Sequence, residues 1–218
     1  MKKVLSLPKS IIVLLALATA FILGRTLWSG SSYYLFLFWN LFLAYVPFLI
    51  SMFIVSYVTA FRGSAKIWII FILGILWLIT FPNAPYLVTD VIHLGKNKLM
   101  PVWYDAMLLF SVAYIGMLFT FHSLHNIEKT LNTFYSKLKT NIFLVVFIFV
   151  SSFGIYLGRF MRWNSWDVFT NPSALSLDIV ELFRTPTESG KAYMFTLTML
   201  VFIGLMYIAW KLQNKEKN

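Results

Sequence analysis

Six apolar stretches, each long enough to cross a bilayer, alternate with short polar joints at roughly 10–28, 34–60, 67–88, 102–122, 141–161 and 192–211. A membrane-spanning helix needs about 20 mainly apolar residues, because each residue advances it by only about 1.5 Å. The joints carry turn-forming or charged residues, as in Ser29-Gly30-Ser31-Ser32, Arg62-Gly63-Ser64-Ala65-Lys66 and Gly95-Lys96-Asn97-Lys98. Residues are 60% apolar and only 12% charged, whereas soluble domains carry about 25% charged residues. A soluble or disordered chain is excluded. The expected fold is all-α, a polytopic bundle of six transmembrane helices forming a single membrane domain over 1–218. The residues outside the spans are too few for a separate soluble domain.

Orientation accounts for the net charge of +10, because Lys and Arg collect in cytoplasmic loops. With the amino terminus inside, Lys2, Lys3, Lys9, Arg62, Lys66, Lys129, Lys137, Lys139, Lys211, Lys215 and Lys217 fall on the cytoplasmic side, 11 in all. Lys96, Lys98, Arg184 and Lys191 fall outside, and Arg25, Arg159 and Arg162 near the outer membrane face. Both termini are therefore expected in the cytoplasm. No basic run is dense enough to track a phosphate backbone, so nucleic acid is not an expected partner. The chain has no cysteine, which removes disulfides, thiolate metal ligands and a cysteine nucleophile.

The amino terminus has some marks of a cleavable signal. Lys2, Lys3 and Lys9 precede the apolar run from Ile11 to Leu17, and Ala18-Thr19-Ala20 resembles a cleavage site. The apolar run continues to Trp28, however, so an uncleaved first span is expected.

Between the fourth and fifth spans, Leu124, Ile127, Leu131, Phe134 and Leu138 recur at steps of three and four. The pattern predicts an amphipathic helix on the inner membrane surface. His122, His125 and Glu128 are expected on its solvated side rather than as a metal site. Outside, Pro172 begins a second amphipathic stretch through Leu175, Leu177, Ile179, Val180, Leu182 and Phe183. Gly154 and Gly158, and likewise Ala20 and Gly24, have the spacing that lets helices approach closely, within one bundle or between the subunits of a homo-oligomer.

The acidic residues are unevenly distributed. Asp90, Asp105, Asp167, Asp178, Glu181 and Glu188 fall on the exterior side, against Glu128 and Glu216 inside. Orientation does not require this, since acidic residues contribute little to it. In Phe81-Pro82-Asn83-Ala84-Pro85-Tyr86, Pro82 should break the third span. Asn83 suits an N-cap and Pro85 the first turn of a new helix. That short helix would carry Tyr86, Asp90 and His93 on one face. An Asp and a His so placed can share a divalent metal, or the Asp can orient the His for acid–base work. Irregular backbone at membrane depth is tolerated only inside protein or beside a wet cavity.

Trp103-Tyr104-Asp105 opens the fourth span, where an Asp suits the helix dipole. The run Gly158-Arg159-Phe160-Met161-Arg162-Trp163-Asn164-Ser165-Trp166-Asp167, if helical, puts Arg159, Arg162, Trp163, Trp166 and Asp167 on one broad face. The planar fork of Arg suits phosphate or carboxylate. Asn40, about two turns inside the second span, needs a partner within the bundle. The candidate catalytic residues are Asp90, His93, Asp105 and Asp167, which are also the candidate ligands for a divalent metal. The candidate substrate-binding residues are Asn40, Asn83, Tyr86, Arg159, Arg162, Trp163 and Asn164. Charges near the bilayer are costly unless paired, so Arg159 or Arg162 is expected to pair with Asp90, Asp105 or Asp167.

The runs Phe36-Leu37-Phe38-Trp39-Asn40-Leu41-Phe42-Leu43-Ala44, Phe81-Pro82-Asn83-Ala84-Pro85-Tyr86 through Thr89-Asp90 and His93, Trp103-Tyr104-Asp105, and Gly158-Arg159-Phe160 through Arg162-Trp163-Asn164-Ser165-Trp166-Asp167 resemble bacterial membrane proteins catalogued as domain of unknown function 1361. The resemblance covers about residues 30–210 and implies a bacterial inner or plasma membrane protein. It implies no reaction.

Three functions remain in view. A hydrolase or transferase acting on a lipid-linked or envelope substrate at the extracytoplasmic face would use the carboxylates and His93 for chemistry and Arg159 and Arg162 for binding. An accessory or assembly protein would use the same polar cluster to lock its fold. A small transporter would need polar residues continuing inward, and the inner halves of the spans offer few beyond Ser51, Ser56 and Thr80.

Overall fold

The computed structural model describes residues 7–61 and 66–215. Lys2, Lys3, Arg62, Glu216 and Lys217 of the charge count, and most of the joint at 62–66, lie outside the described residues. Six helical stretches are long and apolar enough to cross a membrane: Lys9–Ser29, Phe36–Ala60, Ile67–His93, Val102–Phe134, Lys137–Phe160 and Pro186–Lys215. The protein is a multi-pass membrane protein of all-α class. Its residues form two compact units, Met1–Phe134 and Tyr135–Asn218.

The first unit is built from α1 (Lys9–Ser29), α2 (Phe36–Ala60), α3 (Ile67–Thr80), α4 (Asn83–Tyr86), a 3-10 helix (Leu87–His93) and α5 (Val102–Phe134). Helices α1, α2 and α5 enclose the core, with Ile22, Leu37, Ala44, Phe48, Leu108, Val112 and Phe119 buried among them. The opposite is true of α3, which buries only Trp77 and leaves Trp68, Phe71 and Ile72 exposed. A helix surface that apolar belongs in lipid. Trp77 ties α3 inward through a polar chain: its Nε1 donates to Ser123 Oγ at 2.7 Å, and Ser123 Oγ donates to the Pro47 carbonyl at 3.2 Å. Three helices are thereby joined through polar groups buried in the bundle, which must find their partners within the protein.

Pro82 and Pro85 interrupt the third span differently from the sequence expectation. The backbone stays in the right-handed helical region through Phe81, Pro82, Tyr86 and Leu87, but tightens from α to 3-10. A 3-10 helix has about 3.0 residues per turn, so residues three apart share a face. Leu87 and Asp90 are accordingly both buried, in line with Phe81 and Ala84 just before them. Asp90 and His93 fall on that face, whereas Tyr86 does not. The α-helical grouping of all three is therefore corrected. Nor does Asn83 cap a helix; its Nδ2 donates back to the Thr80 carbonyl at 3.0 Å.

The fourth span is also longer than its sequence pattern suggested. It continues without interruption to Phe134 instead of ending near 122 and restarting along the membrane surface. Leu124 and Ile127 are buried along its apolar face, and His125 is exposed; Glu128, expected on the solvated side, is buried instead.

The second unit contains α6 (Lys137–Phe160), α7 (Asp167–Thr170), α8 (Pro172–Arg184) and α9 (Pro186–Lys215). Helices α6 and α9 pack together, and Tyr156, Leu182 and Ala192 form a small core where α8 joins them. Helix α8 starts at Pro172 as expected, where the missing N–H is no loss.

Candidate functional site

In the first unit, polar side chains from α1, the 30–35 link, α2, the 3-10 helix and the start of α5 gather at one end. Two adjacent tyrosines hold His93. Tyr33 Oη lies 3.2 Å from His93 Nδ1, and Tyr34 Oη donates to the His93 carbonyl at 2.9 Å. The imidazole also packs 4.9 Å from the Phe36 ring, centroid to centroid. Ring and backbone of His93 are thus both fixed, while the residue stays partly accessible.

Behind it lies a buried ion pair. Arg25 Nε donates to Asp105 Oδ1 at 2.6 Å and the same guanidinium donates to Oδ2 at 3.2 Å, a two-pronged contact between side chains almost fully removed from solvent. Such burial is tolerated only when both charges are matched and their remaining donors are used. The Arg25 guanidinium therefore also donates to the Asn97 carbonyl at 3.3 Å and lies 4.3 Å above the Tyr34 ring. Asn97 in turn donates to Ser31 Oγ at 3.1 Å. Burial, reinforced by the Asp105 charge, pushes the Tyr34 hydroxyl well above its ordinary pKa, so it remains a donor.

Asp90 belongs to the same end of the unit. Asn40 Nδ2 donates to Asp90 Oδ2 at 3.0 Å, joining α2 to the 3-10 helix. The partner required by an amide inside a span is thus a carboxylate from the neighbouring element.

The remaining candidates belong to the second unit. Asp167 closes its own loop: Oδ2 accepts from the Asn164 N–H at 2.7 Å and from Asn164 Nδ2 at 3.2 Å, while Oδ1 accepts from Thr170 Oγ1 at 3.2 Å. The Asn164 backbone bond, chiefly, holds the carboxyl below its usual pKa. Trp163 Nε1 donates to Asp178 Oδ2 at 3.0 Å, pinning the loop to α8. Helix α6 ends at Phe160, so the run from Arg159 to Asp167 is not one helical face. Arg162 instead has φ 63°, the left-handed conformation usually left to glycine at a helix end. A residue with a Cβ gives up about 1–2 kcal/mol there.

Asn40, Asp90, His93 and Asp105 are therefore brought to one end of the first unit, joined by Arg25, Tyr33 and Tyr34. Arg159, Arg162, Trp163, Asn164 and Asp167 lie in the second unit. The partner of Asp105 is Arg25, not Arg159 or Arg162. Among the described residues, no three His, Asp or Glu side chains converge as a metal site would require. Arg25, Tyr33 and Tyr34 were missed by sequence reasoning. An Arg four residues before the end of an apolar span was the available signal for the first; the tyrosine pair gave none beyond its place in a joint.

A family model described as "Protein of unknown function (DUF1361)" matches residues 39–206. No curated protein and no solved structure matches the chain.

Proposed function

The chain belongs to the DUF1361 family, and from that premise we propose that it is a cell-membrane hydrolase or transferase whose site faces the extracytoplasmic side and takes a lipid-linked or envelope substrate. The observation that carries this reading is the double hold on His93 by Tyr33 and Tyr34. An imidazole kept in one orientation, with a pKa that ordinarily lies near neutrality, is suited to taking a proton from an attacking hydroxyl and returning it to a leaving oxygen. In the tautomer whose Nδ1–H donates to the Tyr33 oxygen, the Nε2 lone pair is left to take the proton of the attacking hydroxyl and later return it. Asp90, oriented by Asn40, supplies a carboxylate one 3-10 turn before His93 on the same face. Asp105 is neutralised by Arg25 and positions the site rather than reacting in it. The orientation rests on the distribution of Lys and Arg, which favours both termini in the cytoplasm.

One observation favours a second reading, an accessory membrane protein with a structural polar cluster. The Arg25–Asp105 pair stabilises without offering a reactive group. Profiling the lipids and envelope polymers of a strain deleted for the gene separates the two readings. The enzyme reading expects one lipid-linked or envelope species to accumulate and its product to fall, with His93→Gln reproducing the pattern. An unchanged profile, with loss of a membrane complex instead, would favour the accessory reading.

A further inference from the structure

Arg162 combines an unfavourable backbone with an unused side chain. It stands two residues beyond the last residue of the span Lys137–Phe160, in a left-handed conformation that glycine would adopt without strain. Its side chain is exposed, and it makes no hydrogen bond or ion pair among the described residues. The carboxylates nearest in sequence are already engaged. Asp167 accepts from Asn164 and Thr170, and Asp178 accepts from the Trp163 indole. Those bonds tie the loop to itself and to α8, and among the described residues neither carboxylate contacts the Arg162 guanidinium.

The half-buried Trp163 and the exposed Trp166 follow Arg162 in the same loop. Indole rings at the end of a span belong at headgroup level. The chemistry met there is the phosphate ester, whose oxygens match the guanidinium fork. We propose that Arg162 binds a phosphate group presented at the membrane surface. The inference rests on the second unit alone and not on the role of His93. Simple snorkelling of an Arg to the interface explains a cation at this level, but it requires neither the left-handed backbone nor a preference for phosphate over an uncharged headgroup.

The test uses detergent-solubilised full-length protein and follows its melting temperature with dioctanoyl phosphatidylglycerol, dioctanoylglycerol or inorganic phosphate added. Ligand that binds only the folded state raises that temperature with concentration. Phosphatidylglycerol should raise it in the wild type, and dioctanoylglycerol, which has the same chains but no phosphate, should not. Arg162→Gly should melt at or above the wild-type temperature without ligand and lose the phosphatidylglycerol response. Arg162→Lys should retain part of that response. Inorganic phosphate acting as strongly at equal concentration would support the phosphate contact and assign it to a free anion; a weaker effect would assign it to a lipid headgroup. An Arg162→Gly variant with an undiminished response would overturn the proposal, as would equal responses to the two lipids. A large fall in the melting temperature of unliganded Arg162→Gly would also overturn it, because the side chain would then hold the fold.

Discussion

Arg25 Nε and Asp105 Oδ1 lie 2.6 Å apart although 80 residues separate them in sequence. The contact fastens α1 to the start of α5 and supports Tyr34, which in turn supports His93. Removing one partner leaves the other charged and buried, so Arg25→Ala or Asp105→Ala should each lower stability by about 3–5 kcal/mol. Losing both should cost clearly less than the sum, since no uncompensated charge remains. Equilibrium unfolding of the four proteins in detergent measures this, and additive losses would show that the two groups do not depend on each other.

Gly116 sets how closely the 3-10 segment can approach α5. A Cβ at this position would sit 2.5 Å from the Ala84 carbonyl oxygen and 2.9 Å from Leu87. Helix propensity alone favours Ala over Gly by about 1 kcal/mol. The clash involves backbone and should win, giving a net loss of about 1–3 kcal/mol in Gly116→Ala. Gly74→Ala in α3, where nothing lies within 4 Å, should be neutral or stabilising in the same unfolding assay.

Trp77→Phe should cost about 1–3 kcal/mol, the penalty for leaving a buried hydrogen-bonding group without its partner, with the lost ring volume adding to it. Ser123→Ala removes the acceptor of the Trp77 indole and the donor to Pro47 together. Thermal unfolding should show the two substitutions to be strongly non-additive, because they interrupt one chain of hydrogen bonds.

The spans were legible because hydropathy fixes them with little help from packing, and Asn40 could be turned inward because an amide in lipid needs a partner. The form of the third span was not legible. Pro82 and Pro85 signal an interruption, but they do not say whether the chain restarts as a long α-helix or tightens into the 3-10 turn that buries Leu87 and Asp90. The length of α5 could have been found, since no Pro or Gly occurs between Met117 and Phe134 to stop it. Its amphipathic pattern also fits a surface helix, because an inward-facing helical face has the same period. Arg25 escaped as a site residue because an Arg near a span end has a sufficient role in snorkelling, and its partner is remote in sequence.

Because the chain has no cysteine, single introduced thiols report membrane sidedness directly. Lys96→Cys and Thr187→Cys should react with a membrane-impermeant thiol reagent on intact cells. Ser136→Cys and Lys139→Cys should react only after the cells are opened. The reverse pattern would invert the orientation drawn from the basic residues, and with it the side on which His93 acts.

The most direct test of the account is complementation by His93→Ala, scored on the envelope change of the deletion strain, with the melting temperature of the purified variant measured alongside. A residue positioned by Tyr33 and Tyr34 for chemistry is held by the fold more than it holds the fold, and truncating the partly accessible His93 leaves the buried Arg25–Asp105 pair intact. The His93→Ala variant should express and melt close to the wild type but fail to restore the envelope. A stable His93→Ala protein that complements fully would contradict it, and would leave the polar cluster as a structural lock.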